Sequence, residues 1–216
     1  MKSDYNISRT KLNDINRSLM ELNSKKTSLD TRCKLLVNMK NSYENYQIAV
    51  KKVMQDAQID SDLSQCIEGV VAELIKVPAQ YEIAIETVLG GALQNIVTKT
   101  QNDAAYVIEY LKKNNYGRIT FLPMDSFRSN KLEGIYNSAL NEKGVLGIAS
   151  DIVETDAKYR GIVEGLLGKT VIVSKIDDAI QLSRKYRNAF RIVTLEGEVL
   201  STSGSMSGGS RRSEKA

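Results

Sequence analysis

Apolar residues recur every seven positions along the first quarter of the chain. The row has six members, all apolar: Ile15, Leu22, Leu29, Leu36, Tyr43 and Val50. The row four residues further on is mixed, with Leu19, Lys26, Cys33, Lys40 and Gln47. Residues from about 5 to 57 contain no glycine and no proline. A sustained heptad of this kind predicts a coiled-coil helix of about 50 residues. A long helix inside a bundle is the alternative.

This predicted arm needs a partner, because a single coiled-coil helix cannot bury its own seam. The rest of the chain shows no second helical pattern of that length. The polar members of the mixed row favour a two-stranded coil, in which long side-chain stems lie along the seam. Either the chain is a fragment of a longer protein or the arm pairs with another molecule.

From Ser61 onward, short apolar runs alternate with helical patterns and glycines. Strands are predicted at 66–72, 93–98, 118–122, 145–149, 170–174, 190–195 and 199–201. Helices are predicted at 79–89, 102–113, 159–167 and 177–186. The alternation is typical of a mixed α/β or α+β fold. A loop near 123–145 divides it into two lobes, at about 61–125 and 140–210, after an arm at 1–60.

Composition lowers the expectation of an enzyme. The chain has no histidine, which removes the commonest general base and metal ligand. Cys33 and Cys66 lie far apart and are expected to be buried, reduced thiols. No catalytic residues, metal site or cofactor are predicted. No apolar run reaches the ~20 residues of a membrane span, and no signal peptide is visible at the start, so a cytoplasmic protein is expected.

One motif resembles a phosphate-binding loop. It runs Gly165-Leu-Leu-Gly168-Lys169-Thr170, but Val163 stands where the loop needs its first glycine. The motif also precedes a predicted strand, whereas a phosphate-binding loop follows a strand and opens a helix. A nucleotide-binding enzyme is therefore an unfavoured alternative.

Three stretches together carry a family resemblance. They are Leu89-Gly90-Gly91-Ala92-Leu93-Gln94-Asn95-Ile96-Val97, Gly117-Arg118-Ile119-Thr120-Phe121-Leu122-Pro123-Met124-Asp125 and Gly204-Ser205-Met206-Ser207-Gly208-Gly209-Ser210. In this order after a coiled-coil helix, they resemble the hinge domain of bacterial-type SMC (structural maintenance of chromosomes) proteins. The resemblance covers about residues 62–210, and residues 211–216 are similar to the start of a returning arm.

The resemblance implies a dimerisation module of a chromosome condensation and segregation protein. Two hinges of that family form a two-fold homodimer with two equivalent contacts. Gly204, Gly208 and Gly209 match the glycines that let strands of two subunits approach, and Ser203 stands where several relatives have another glycine. The ATP-hydrolysing heads and the kleisin and accessory subunits that bind them would lie outside this chain. The expected location is the cytoplasm, at the nucleoid.

A second expectation is weak, sequence-independent DNA binding where hinge and arm meet. The net charge is +4, and residues 1–60 hold 11 Lys/Arg against 7 Asp/Glu. The resemblance places Arg211, Arg212 and Lys215 at the returning arm, beside Lys51 and Lys52. Such a patch would contact phosphates, and Tyr43 and Tyr46 could stack on unpaired bases. A solvated charged rim and a coiled-coil adaptor that binds another protein are the alternatives.

Overall fold

The computed structural model describes residues 2–42 and 46–209, which fall into two compact units, Met1–Tyr46 and Gln47–Ala216. The first unit is the helix α1, Lys2–Ser42. Four members of the heptad row lie on α1, and all four are exposed: Ile15, Leu22, Leu29 and Leu36. Tyr43 lies outside the described residues. The apolar seam of α1 is therefore open to a partner helix.

The prediction of one continuous helix through residue 57 is wrong. Helix α2 spans Ile48–Asp56 and belongs to the second unit. Before it, Gln47 is extended, with ψ 146°, and its backbone N–H donates to Gln94 Oε1 at 2.7 Å. Val50 and Val53 are buried. Val50 thus continues the heptad in sequence but packs into a globular core, and the globular unit begins at Gln47 rather than at residue 61.

The first lobe of the second unit carries a three-stranded sheet. Its elements are α3 Ser61–Cys66, β1 Ile67–Val70, α4 Val71–Leu74, β2 Ile75–Lys76, α5 Glu82–Leu89, β3 Ile96–Thr98, α6 Gln101–Asn114 and β4 Phe121–Pro123. The strand order is β1-β3-β4, with β1 antiparallel and β4 parallel to β3. Helix α6 makes the crossover between the parallel strands. A capping box of Thr100 and Asp103 begins α6, and Asn115 in the left-handed conformation ends it.

The second lobe carries a five-stranded sheet. Its elements are β5 Val145–Ile148, α7 Ala149–Ile152, β6 Glu154–Thr155, α8 Arg160–Leu167, β7 Thr170–Val173, α9 Ile176–Lys185, β8 Arg191–Thr194, β9 Val199–Leu200 and β10 Met206–Ser207. The order is β10-β9-β8-β7-β5. Strands β7 and β8 are parallel, and the other neighbours are antiparallel. The segment 123–145 between the lobes includes a 3₁₀ helix, Gly134–Asn141.

The two lobes repeat one order of elements. In each, a strand with a bulge beside a glycine of positive φ, Gly69 or Gly147, precedes a one-turn helix and a two-residue strand. A longer helix, a central strand, a crossover helix and a parallel strand follow. The sequence prediction missed α4, β2, α7 and β6, because runs this short carry no periodic signal. Lobe 2 continues past the repeat with β9 and β10.

A shared core and a strand pair join the lobes. The larger cluster of buried residues draws on both, with Ile85 and Val97 from lobe 1 packing with Val163 and Ile172 from lobe 2. Strands β2 and β6 pair across the boundary. The two lobes therefore form one body with a continuous interior.

The two cysteines differ from the prediction in their burial. Both are free, but Cys33 is exposed and Cys66 is half-buried. The expectation that both are buried is therefore wrong. Cys33 faces solvent because it lies on the open seam of α1.

Candidate functional site

The glycine-rich segment 201–209 is ordered by a tight turn and a short edge strand. The Ser201 N–H donates to the Ser205 carbonyl at 2.9 Å, and the Gly204 N–H donates to the Ser201 carbonyl at 3.0 Å. Ser203 Oγ lies 2.7 Å from Ser201 Oγ. The Ser203 hydroxyl therefore adds a hydrogen bond to the turn. A plain flexible linker would show none of this structure.

The three predicted interface glycines flank β10 rather than lie within it. Gly204 precedes the strand with φ +84°, a conformation that favours glycine. Gly208 and Gly209 follow it, and Gly209 has φ +137°. A Cβ on Gly208 would lie 2.8 Å from Cγ of Glu198 in the same chain. These constraints arise within one subunit, so they neither require nor exclude a partner.

The outer edge of β10 offers free backbone groups. Among residues 2–42 and 46–209, strand β10 ends the sheet and pairs with β9 alone, where Met206 lies opposite Leu200. Hydrogen-bonded and non-bonded pairs alternate in an antiparallel ladder. Since Ser201 and Ser205 form a bonded pair, the N–H and C=O of Met206 point away from β9. The Met206 side chain is 55% exposed. This edge can accept another strand.

Strand β4 in lobe 1 is the matching edge. The Ile96 N–H donates to the Thr120 carbonyl, and the Met124 N–H donates to the Thr98 carbonyl. Both contacts face β3, so the N–H and C=O of Phe121 face outward by the same alternation. The equivalent strand in lobe 2, β8, is followed in its sheet by β9 and β10. In the part of the chain that the structure describes, no strand occupies that side of β4.

Of the five cations predicted to bind DNA, the structure describes two. Lys52 is exposed and its Nζ lies 4.8 Å from the centre of the Tyr116 ring, while Lys51 is half-buried. Arg211, Arg212 and Lys215 lie outside the described residues, so their approach to Lys51 and Lys52 stays a prediction. Tyr43 is also outside them, and Tyr46 is half-buried.

Lys52 belongs to a basic and aromatic surface that the sequence prediction missed. Tyr116 stacks edge-on against Tyr110 at 6.2 Å between ring centres, and Tyr110 lines a shallow depression on α6 with Tyr106 and two lysines, Lys112 and Lys113. Lys112 is paired with Glu109 at 2.5 Å. We call the surface of Lys52, Tyr106, Tyr110, Lys113 and Tyr116 the α2–α6 face. The spacing of Tyr106, Tyr110 and Lys113 along one helix was its sequence signal.

One aspartate, Asp56, raises the pKa of two tyrosines of this face. The Tyr110 hydroxyl donates to Asp56 Oδ2 at 2.9 Å. This hydrogen bond, helped by desolvation, raises the pKa of Tyr110 to about 12. The same carboxylate raises the pKa of Tyr116. Tyrosine is already neutral at pH 7 at its ordinary pKa of about 10, so these contacts extend the protonated range of both rings to higher pH.

The motif that resembles a phosphate-binding loop has a different geometry. It ends helix α8 and leads into β7 at Thr170. A Cβ on Gly165 would overlap the Phe127 ring and lie 2.7 Å from the Arg128 carbonyl oxygen, and a Cβ on Gly168 would overlap the Asn130 carbonyl. The segment between the lobes thus fills the space beside both glycines.

The described residues hold neither a metal-binding cluster nor a membrane-spanning helix. No group of three or more Cys, Asp or Glu side chains there could hold a metal ion. None of the described helices is long and apolar enough to cross a membrane.

The chain belongs to the SMC hinge domain family. Residues 63–183 match the family described as "SMC proteins Flexible Hinge Domain". The chain is similar to the "Chromosome partition protein Smc" of Halothermothrix orenii, at 38% identity over 93% of this chain, and to that of Bacillus subtilis, at 34% over 96%. It spans 16% and 17% of those two proteins.

Solved hinge structures share the fold. The crystal structure of an asymmetric dimer of the Geobacillus stearothermophilus SMC hinge domain matches with a TM-score of 0.86 and 36% identity, covering 95% of this chain and 82% of that one. The Pyrococcus furiosus SMC hinge domain matches with a TM-score of 0.59 and 30% identity, covering 78% and 91%. The predicted mixed fold, with a two-lobed hinge after a long helix, is confirmed.

Proposed function

We propose that this chain is the homodimerisation module of a chromosome partition protein, joined through its strand edges. In the proposed dimer, β10 of one copy adds to the free edge of β4 in the other, and the reverse pairing forms the second contact. The internal repeat supports this arrangement, because lobe 1 lacks the two added strands that cover the same edge in lobe 2. The asymmetric dimer of the Geobacillus hinge supports self-association.

The pairing has a specific backbone geometry. Met206 and Phe121 each turn an N–H and a C=O outward, so opposite each other they can exchange two hydrogen bonds. Gly208 and Gly209 leave the strand end without side chains, which allows close approach of a second backbone. A two-fold axis repeats the contact, so each change counts twice.

The test is Met206→Pro, which removes one outward N–H and tolerates an edge position. Losing about 1 kcal/mol at each of two contacts predicts a dissociation constant roughly ten- to thirtyfold higher. Met206→Ala is the control, since it removes the side chain and keeps the N–H. Analytical ultracentrifugation over a concentration series measures both. Equal dissociation constants for Met206→Pro and Met206→Ala would reject the β10 edge. Replacing Gly208 is a poorer test, because the Cβ of the new residue would collide with Glu198 in the same subunit.

We also propose that DNA binds without sequence preference at the α2–α6 face, extended by Arg211, Arg212 and Lys215. Lys52 above the half-buried Tyr116 carries this proposal, since a lysine beside accessible ring edges suits both phosphates and unstacked bases. We expect single-stranded DNA, in loops or at unpaired ends, to bind the α2–α6 face more tightly than duplex DNA does.

Two double variants test this second function in a gel mobility shift at low salt. Lys51→Glu with Lys52→Glu, and Arg211→Glu with Arg212→Glu, should each weaken binding by about tenfold or more, because each reverses two phosphate contacts per subunit. Lys143→Glu with Lys175→Glu, exposed in lobe 2, is the charge-matched control. Equal weakening by the control would mean that net charge alone attracts the DNA.

The whole relatives are far longer, so the wider role is also a proposal. We propose that ATP hydrolysis and the kleisin and accessory subunits belong to regions beyond this chain, and that the hinge itself catalyses nothing.

A further inference from the structure

The segment between the lobes is fastened across α8 rather than free. Phe127 packs against the core shared by both lobes, and Leu132 is buried in the core of lobe 2. The Leu132 N–H donates to the Gly168 carbonyl at 2.9 Å. We call residues 127–132 the strap.

The crossing point needs two glycines, one within α8 and one just after it. Gly165 faces the Phe127 ring and the Arg128 carbonyl, and Gly168 faces the Asn130 carbonyl. A methyl group at either position would push the strap backbone off the helix. Gly161, one turn earlier on the same helix, lies beside no strap residue, and a Cβ added there would meet nothing within 4 Å.

A nearly buried carboxylate holds the middle of the strap. Glu164 receives a hydrogen bond from Ser129 Oγ at 2.6 Å and an ion pair from Lys131 Nζ at 2.7 Å. Its side chain is 13% exposed. Lys131, Ser129 and Arg160 at 3.0 Å lower the pKa of Glu164 to about 2, so it stays charged at any physiological pH.

Three residues separate the end of β4 from the strap. The Phe127 N–H donates to the carbonyl of Pro123, the last residue of β4, at 2.8 Å. The far end of the strap is bound to the lobe that carries β10. The strap is thus the chain segment that ties one proposed dimer edge to the lobe holding the other.

We propose that Glu164, Gly165 and Gly168 are positioning residues for dimerisation, which clamp the strap so that both edge contacts close at once. This inference rests on the proposed edge pairing. Two contacts between the same copies reinforce each other only if their spacing is fixed, because the second then forms at high effective concentration. The shared core fixes the lobes to each other, and the strap fixes the end of β4 against lobe 2, so a loose strap frees the β4 edge to move and lowers that concentration.

The experiment compares three variants of the full chain by hydrogen exchange and ultracentrifugation. Gly165→Ala should speed exchange of the Leu132 amide at least tenfold and raise the dimer dissociation constant at least fivefold. Ser129→Ala with Lys131→Met releases the strap from its own side, without touching α8, and should act in the same direction. Gly161→Ala is the control and should change neither quantity.

Two results would overturn the strap proposal. In one, Leu132 exchange accelerates in the first two variants while the dissociation constant stays at the wild-type value. In the other, neither variant alters Leu132 exchange. Failure of the edge pairing is separate, because it shows as an unchanged dissociation constant in Met206→Pro with Leu132 exchange intact. If Gly165→Ala does not fold, the Ser129 and Lys131 variant decides the result.

Discussion

Single side chains set the charge and the hydrogen bonding of the α2–α6 face. Asp56 is the only carboxylate that we find hydrogen-bonded to a tyrosine of this face among the described residues. It accepts a hydrogen bond from the Tyr110 hydroxyl and raises the pKa of Tyr110, while Lys52 lies over Tyr116. On a surface proposed to bind DNA, a carboxylate is unfavourable by itself. Here its charge is turned inward to the hydroxyls.

Replacing Asp56 by alanine should return the Tyr110 pKa from about 12 towards its ordinary value of about 10. The hydrogen bond favours the neutral tyrosine, so its folded pKa is raised. Its contribution to stability is complete below pH ~10 and is lost as the pH rises through ~12. Absorbance at 295 nm during alkaline titration measures the change.

Asp177→Ala is the matched control for this titration, because Asp177 is an exposed carboxylate on α9 in the other lobe. It should leave the titration curve in place. A curve unchanged in Asp56→Ala as well would show that the tyrosine–aspartate bond does not hold in solution.

At the scale of elements, side-chain contacts between short elements of the two lobes help to hold the lobes together. Glu68 on β1 bonds to Lys158 Nζ at 2.7 Å and accepts from the Tyr159 hydroxyl at 2.8 Å, both from lobe 2. Lys158 is the main cause of a lowered pKa of Glu68, with Tyr159 and Lys99 adding to it. The Glu68 side chain is 11% exposed. This contact fastens the lobes on a site distinct from the strap.

Glu68→Gln should lower the free energy of unfolding by about 1.5–3 kcal/mol at pH 7, the range for a charge-assisted hydrogen bond. The folded pKa is depressed, so this stability is present above the unfolded value of about 4.3 and lost as the pH falls through the folded pKa. The difference from the wild type should therefore shrink below pH ~4. Urea unfolding of the wild type and of Glu68→Gln, at pH 7 and at pH 3, measures this difference in the free energy of unfolding.

Glu154→Gln provides the control, since Glu154 is an exposed carboxylate on β6. It should cost far less at pH 7. A Glu68→Gln difference that stays constant from pH 7 to pH 3 would point to lost packing instead of lost charge.

At the scale of the whole molecule, sequence reasoning reached the long helix, the two lobes and the family. The heptad and the stretch around Gly117–Asp125 carried that information locally. The prediction from heptad periodicity failed at Val50, an apolar residue in heptad register that packs into the globular core. Periodicity reports that a residue is buried, but it does not report which surface covers it.

The candidate site was harder to predict because it depends on contacts far apart in sequence. Nothing near Gly165 or Gly168 signals that residues 127–132 will cross them, and no local pattern identifies β10. The lobe repeat did leave a trace, since Gly69, Tyr81 and Leu89 have the same spacing as Gly147, Tyr159 and Leu167. A self-comparison of the sequence would have revealed it.

The position of β10 also sets how this domain responds to pulling. Tension applied between Gln47 and Gly209 acts on both ends at once. At the C-terminal end the element that it loads is β10, of which two residues pair with β9. Strands pulled from one end break their bonds one after another, so this strand peels away at low force. Freeing residues 201–209 adds about 30 Å of extended chain. The two-lobed body, held by a shared core, keeps its shape while that length is released, so the domain yields to load at its margin before its interior.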